Sequence, residues 1–117
     1  MKRILIVDDA VFIRLSLKKM LEENGFEVVG EAENGVQAVE MYKMLNPEIV
    51  TMDITMPVMD GLEALTEILK FDPNATVIML SAMGQEMKIR ESIVIGAKSF
   101  IVKPFKEDYL LKTLSNF

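Results

Sequence analysis

Three acids, a hydroxyl and an ammonium stand at the ends of apolar runs in this chain. Asp8 and Asp9 follow Ile4-Leu5-Ile6-Val7, Asp53 closes the run from Ile49, Ser81 follows the run from Thr76 to Leu80, and Lys103 follows the run from Ser99 to Val102. If these runs are strands of one sheet with a common direction, the groups meet on one rim. Three clustered carboxylates repel, each pair by about 4 kcal/mol at about 4 Å for an effective dielectric constant of roughly 20. A bound cation, a proton on one acid, or splaying of the acids into water would each relieve the repulsion. The chain contains no histidine and no cysteine. Any metal must then be held by oxygen, which favours a hard cation such as Mg²⁺.

A carboxylate can also act as a nucleophile and form an aspartyl phosphate. Asp53 has apolar neighbours in Met52 and Ile54 and precedes a Met56-Pro57 loop, so it is the candidate acceptor. A phosphoryl group brings negative charge into an acidic pocket and needs a cation to screen it. Asp8 and Asp9 would hold that cation, Lys103 would place a point charge on the phosphoryl oxygens, and Ser81 could donate its hydroxyl. Each residue alone has a plainer role. Asp9 could cap the first helix, Ser81 could cap the fourth, and Lys103 could be a surface lysine with its stem laid on apolar neighbours. Capping does not explain why all of them close strands.

The elements that must position these groups follow from periodicity. The expected strands are Ile4 to Val7, Phe26 to Glu31, Ile49 to Asp53, Thr76 to Leu80 and Ser99 to Val102. Helices are expected from Val11 to Gly25, from Asn34-Gly35 to about Leu45, from Leu62 onward, from about Gln85 to Ile95, and from Glu107 to Asn116. Ile13, Leu17, Met20 and Leu21 give the first helix its apolar stripe. Val36, Val39 and Tyr42 or Lys43 trace the second, and Leu62, Leu65, Ile68 and Leu69 the third. Phe71-Asp72-Pro73-Asn74 reads as a turn. Helix four carries Met87, Ile89, Ile93, Val94 and Ile95, more than one buried stripe needs, so part of this excess is expected on a docking face. Alternating βα units imply a doubly wound α/β sandwich with a mainly parallel sheet and right-handed crossovers. Ligands in such sheets bind beyond the carboxyl ends of the strands.

At 117 residues the chain suits one domain spanning 1–117. Half the residues are apolar, enough for a core without a structural metal. Absence of cysteine suits a reducing cytosol. A net charge of −5 with no basic run argues against direct nucleic-acid binding. No apolar segment approaches the roughly 20 residues that span a bilayer, and the start at Met1-Lys2-Arg3 reads as a strand rather than a signal peptide.

The residues together resemble the receiver domain family of two-component signalling. The matching pieces are Val7-Asp8-Asp9, Asp53-Ile54-Thr55-Met56-Pro57 with Asp60-Gly61 behind it, Ser81-Ala82, Gly96-Ala97 and Lys103-Pro104-Phe105. The resemblance covers essentially the whole chain, and it rests on the order and spacing of pieces that are individually weak. It implies five strands in the order 2-1-3-4-5. It implies Asp53 as phosphoacceptor, Mg²⁺ on Asp8, Asp9, Asp53 and the Thr55 backbone carbonyl, Lys103 against the phosphoryl group, and Ser81 as switch hydroxyl. Phe100 stands where many members carry a switch tyrosine; without a hydroxyl, its inward rotation would be driven by burial alone, and ordinary packing is the plainer reading. The resemblance further implies a cis Lys103-Pro104 bond, a sensor histidine kinase as phosphodonor, and a surface of helix four, strand five and helix five that changes on activation and is read by a partner. A phosphatase partner, a cytoplasmic location and a monomeric state go with it.

Two rival chemistries use the same residue types or fold. A phosphohydrolase of the haloacid dehalogenase type places a second acid two residues after its aspartyl nucleophile, and here that position is Thr55. A flavin module needs a phosphate loop after the first strand, and Asp8-Asp9-Ala10-Val11 is acidic. A third reading keeps the receiver but attaches it to a DNA-binding output domain. The chain stops soon after the last helix, so a stand-alone, chemotaxis-type regulator is expected, acting on a flagellar motor switch or an adaptor protein.

Overall fold

In the computed structural model, which describes residues 1–117, strands and helices alternate without exception. They are β1 (Lys2–Val7), α1 (Val11–Glu23), β2 (Phe26–Ala32), α2 (Gly35–Leu45), β3 (Ile49–Asp53), α3 (Gly61–Phe71), β4 (Val77–Ser81), α4 (Glu86–Ile95), β5 (Ser99–Val102) and α5 (Glu107–Leu114). All neighbouring strands pair in parallel, in the order β2-β1-β3-β4-β5. The doubly wound class and the strand order are therefore as expected. The chain steps outward from β1 to β2, returns across to β3 and continues to β5. Winding reverses between β1 and β3, and a crevice forms beyond the carboxyl ends at such a reversal. Asp8 and Asp53 flank it.

Successive side chains of a strand point to opposite faces. Leu5, Val7, Val50, Met52, Val77 and Met79 join a cluster of 16 buried residues beneath α2 and α3. Ile4, Ile6, Ile49, Ile78, Leu80 and Ile101 join a cluster of 10 beneath α1 and α5. Both faces are covered, which is why the strands read as continuous apolar runs. Asp8 continues the alternation of Ile4 and Ile6, Asp53 that of Ile49 and Thr51, and Lys103 that of Ile101. All three thus leave the sheet on the side of α1 and α5.

Several boundaries differ from expectation. α1 stops at Glu23, and Gly25 adopts φ 86° in the connection, a conformation that ends helices. β2 runs one residue further, to Ala32, and β4 is displaced by one, which takes Ser81 into the sheet. α3 includes Phe71, expected in the turn; α4 starts at Glu86, and α5 ends at Leu114 rather than Asn116. α2 buries Gly35, Ala38 and Tyr42 while Val36 is exposed, so its inner face combines two small residues with one aromatic ring. On α4 only Ser92 is fully buried. Ile89 packs against the larger cluster, and Met87, Ile93, Val94 and Ile95 are exposed. The Lys103-Pro104 bond is cis. No helix is long and apolar enough to cross a membrane.

Candidate functional site

The structure brings Asp8, Asp9 and Asp53 together: one carboxylate oxygen from each lies within 4.8 Å of the others. Lys103 arrives from the far side of β4, where its N–H donates to the Ser81 carbonyl oxygen. Its Nζ sits 2.7 Å from Asp8 Oδ2 and 3.4 Å from Asp53 Oδ1. Asp8 and Asp53 are buried and Asp9 is exposed. The site is thus a half-closed acidic crevice whose one close cation is an ammonium.

Local geometry fixes each acid. Asp8 Oδ1 accepts the Ala10 N–H at 2.9 Å, and the Asp8 backbone N–H donates to Ala32 at 3.0 Å. Arg14, one turn into α1, donates to the Asp8 carbonyl oxygen and to Glu31 Oε1. Behind Asp53 the chain folds back on itself: Gly61 N–H donates to the Ile54 carbonyl at 2.7 Å, and a Cβ at Gly61 would overlap the Asp53 carbonyl oxygen. Asp60 then caps α3 by accepting the Glu63 N–H at 2.9 Å.

The electrostatics follow from this crowding. Burial pushes the Asp53 carboxyl up, the Asp8 charge adds to the rise, and Lys103 partly offsets it, leaving it at about 6. Burial alone would lower the Lys103 ammonium, but its hydrogen bond to Asp8 and the charge of Asp53 outweigh that and hold it above the ordinary lysine value. An octahedral Mg²⁺ binds oxygen at about 2.1 Å and accepts one or two carboxylates plus waters. The all-oxygen set of Asp8, Asp9 and Asp53 suits a hard cation in donor type, and the cluster could hold a metal ion.

Asp9 does not cap α1, whose N-cap is Ala10 with no side-chain bond. Ser81 does not cap α4; its Oγ is fully buried and has no hydrogen-bond partner. A buried unpaired hydroxyl is disfavoured by about 1–3 kcal/mol. Thr51 Oγ1 is likewise unpaired, and nothing around it accounts for that. Thr55 lies on the β3–α3 connection, and its hydroxyl accepts from Gln85 Nε2 at 2.8 Å. Phe100, opposite Met79 in the β4–β5 pairing, is 39% exposed and borders a groove along α4. Arg14 and Gln85 were not singled out by residue type, whereas Gly61 was named with Asp60 among the matching pieces. A cation one turn into α1 was a signal for Arg14; Gln85 had none.

The family model for the response regulator receiver domain matches residues 4–115. The chain is 58% identical to the chemotaxis protein CheY of Bacillus subtilis over 113 residues, covering 97% of this chain and 94% of that protein. It is 56% identical to the chemotaxis protein CheY of Thermotoga maritima over 114 residues, covering 97% and 95%. A crystal structure of the CheX-CheY-BeF3-Mg+2 complex from Borrelia burgdorferi superposes with a TM-score of 0.93 at 43% identity, covering 98% of this chain and 87% of that one.

Proposed function

We propose, from the premise that this chain belongs to the response regulator receiver domain family, that it is a chemotaxis-type switch whose Asp53 accepts a phosphoryl group from a sensor histidine kinase. The observation that carries this reading is the crevice itself: three carboxylates within 4.8 Å of one another, facing one lysine. An Asp53 carboxylate oxygen attacks the phosphorus. The new O–P bond forms as the P–N bond of a phosphohistidine breaks, and the imidazole leaves with the electron pair and takes up a proton. The chain has no histidine, so that imidazole belongs to another protein. Mg²⁺, held by Asp8, Asp9, Asp53 and the Thr55 backbone carbonyl, would neutralise the acids and the equatorial phosphoryl oxygens. Lys103 turns its ammonium from Asp53 to a phosphoryl oxygen, and the unpartnered Ser81 hydroxyl donates to another.

Withdrawal of Ser81 toward the phosphoryl group changes the β4–α4 connection, and Phe100 packs inward beside it. The reader of this change is an output partner, a flagellar motor switch or adaptor protein. Its landing area is the apolar surface of α4, β5 and α5, where Met87, Val94 and Tyr109 are 78%, 87% and 56% exposed. A cytoplasmic monomer acted on by a phosphatase completes the reading. Position 55 offers a hydroxyl where a phosphohydrolase offers an acid, so the mark is long-lived and the protein is not a turnover enzyme.

The test is incubation with a small acyl phosphate, with and without Mg²⁺, followed by intact-mass measurement of wild type and Asp53→Asn. One added phosphoryl group is expected in wild type with Mg²⁺ only, and none in the variant. Equal labelling of the variant, or labelling that ignores Mg²⁺, would overturn the assignment.

A further inference from the structure

Gln85 spans the two connections that flank Asp53. Its Oε1 accepts the Ala82 N–H at 2.7 Å and its Nε2 donates to Thr55 Oγ1 at 2.8 Å. One carboxamide thereby ties the β4–α4 connection to the β3–α3 connection, 30 residues away in sequence. The same side chain lines the apolar groove of about 840 Å³ with Ile89, Val94, Phe100 and Val102. No other side chain both bonds to the rim of the acid crevice and borders that groove.

Building on the phosphoacceptor reading, we infer that Gln85 is a positioning residue, a latch that holds the unphosphorylated arrangement and is released when Asp53 is loaded. Ala82 supplies the first backbone N–H beyond Ser81, and in this structure that donor is committed to Gln85. A phosphoryl group on Asp53 adds three strong acceptor oxygens to the rim. Charge-assisted acceptors are roughly twice as strong as a neutral amide oxygen, so the phosphoryl group outcompetes Gln85 for the Ala82 N–H. Loss of that bond frees the carboxamide from Thr55 as well, and the groove wall it forms moves with α4. The latch acts on the balance between two states, not on the transferred group. Its effect is therefore on the equilibrium of loading and on the groove together.

Gln85→Met keeps the length and helix propensity of the side chain and removes both bonds. At subsaturating acyl phosphate with Mg²⁺, the ratio of phosphorylated to unphosphorylated protein is expected to rise about fivefold, the change that one lost hydrogen bond supports. An unchanged or lower ratio overturns the latch. A second readout needs no variant: the Gln85 Nε2 protons of wild type should have NMR shifts displaced from those of a solvated glutamine and exchange slowly with solvent, and phosphorylation should move the shifts to solvated values and speed the exchange. Signals that persist unchanged overturn the latch even if the ratio rises. If wild type takes no phosphoryl group at all, the phosphoacceptor reading has failed instead, so the two failures are distinct.

Discussion

Asp53→Asn keeps the shape of the side chain and removes the charge that burial most disfavours. In the native fold the carboxyl releases its proton near pH 6, against an ordinary value of 3.8. Between those values the folded state binds more protons than the unfolded state, so stability falls as pH rises through that window and stays lower above it. A rise of this size corresponds to about 3 kcal/mol at roughly 1.4 kcal/mol per tenfold change. Contact with solvent at the mouth of the crevice screens part of it, leaving about 1–2 kcal/mol. Lys103 keeps Asp8 at 2.7 Å, so the variant leaves no orphaned ammonium. For a domain of this size each kcal/mol moves the midpoint by about 4 °C. In metal-free buffer at about pH 7.5 the variant should therefore unfold about 4–8 °C above wild type, and the gap should close below about pH 4. Thermal unfolding followed by circular dichroism with a chelator present, repeated across pH, measures it. Adding Mg²⁺ should raise the wild-type midpoint and leave the variant nearly unmoved. A variant no more stable than wild type at neutral pH, or a gap that persists in acid, would refute the claim that buried charge repulsion is concentrated at Asp53.

Other expectations follow from the same geometry. Lys103→Met leaves two buried acids without their ammonium; a loss of about 1–3 kcal/mol is expected without metal, and Mg²⁺ should restore more stability to this variant than to wild type in denaturant titrations. Gly61→Ala drives a methyl into the Asp53 carbonyl oxygen; about 1–3 kcal/mol should be lost in chemical unfolding, with slower labelling from acyl phosphate because the β3–α3 connection shifts. Val58 holds φ 70° on an exposed connection, a strained state for a β-branched residue; Val58→Asn should gain about 0.5–1 kcal/mol in the same assay. Val94→Asp at an 87% exposed site should change stability by less than about 0.5 kcal/mol yet weaken binding of the output partner at least tenfold by calorimetry. Ile89→Asp is a poorer probe, because Ile89 also packs into the core.

How far residues alone led differs from element to element. β3 and β5 were bounded correctly because both are apolar runs with sharp polar ends. The rim was readable for the same reason: Asp8, Asp53 and Lys103 each follow a buried run with the parity that sends them to one side of the sheet. The strand order was not derivable from periodicity and rested on family resemblance. Helix faces were less readable. Counting large apolar residues put Val36 inward on α2, whereas the buried positions are Gly35, packed against Met59, together with Ala38 and Tyr42. The tie from Gln85 to Thr55 and Ala82 spans two connections whose mutual approach depends on the β3–β4 pairing, so no local pattern announces it. Arg14 reaches the Asp8 carbonyl through the turn into α1, a contact set by three-dimensional placement.

The central claim is that one particular carboxylate accepts the phosphoryl group. An acyl phosphate is reduced by borohydride to an alcohol, which converts a phosphorylated aspartate to homoserine at the modified position. After labelling with acyl phosphate and Mg²⁺, reduction and peptide sequencing by mass spectrometry should place homoserine at position 53 and nowhere else. Homoserine at position 8 or 9, or reduction products scattered among exposed acids, would contradict the account.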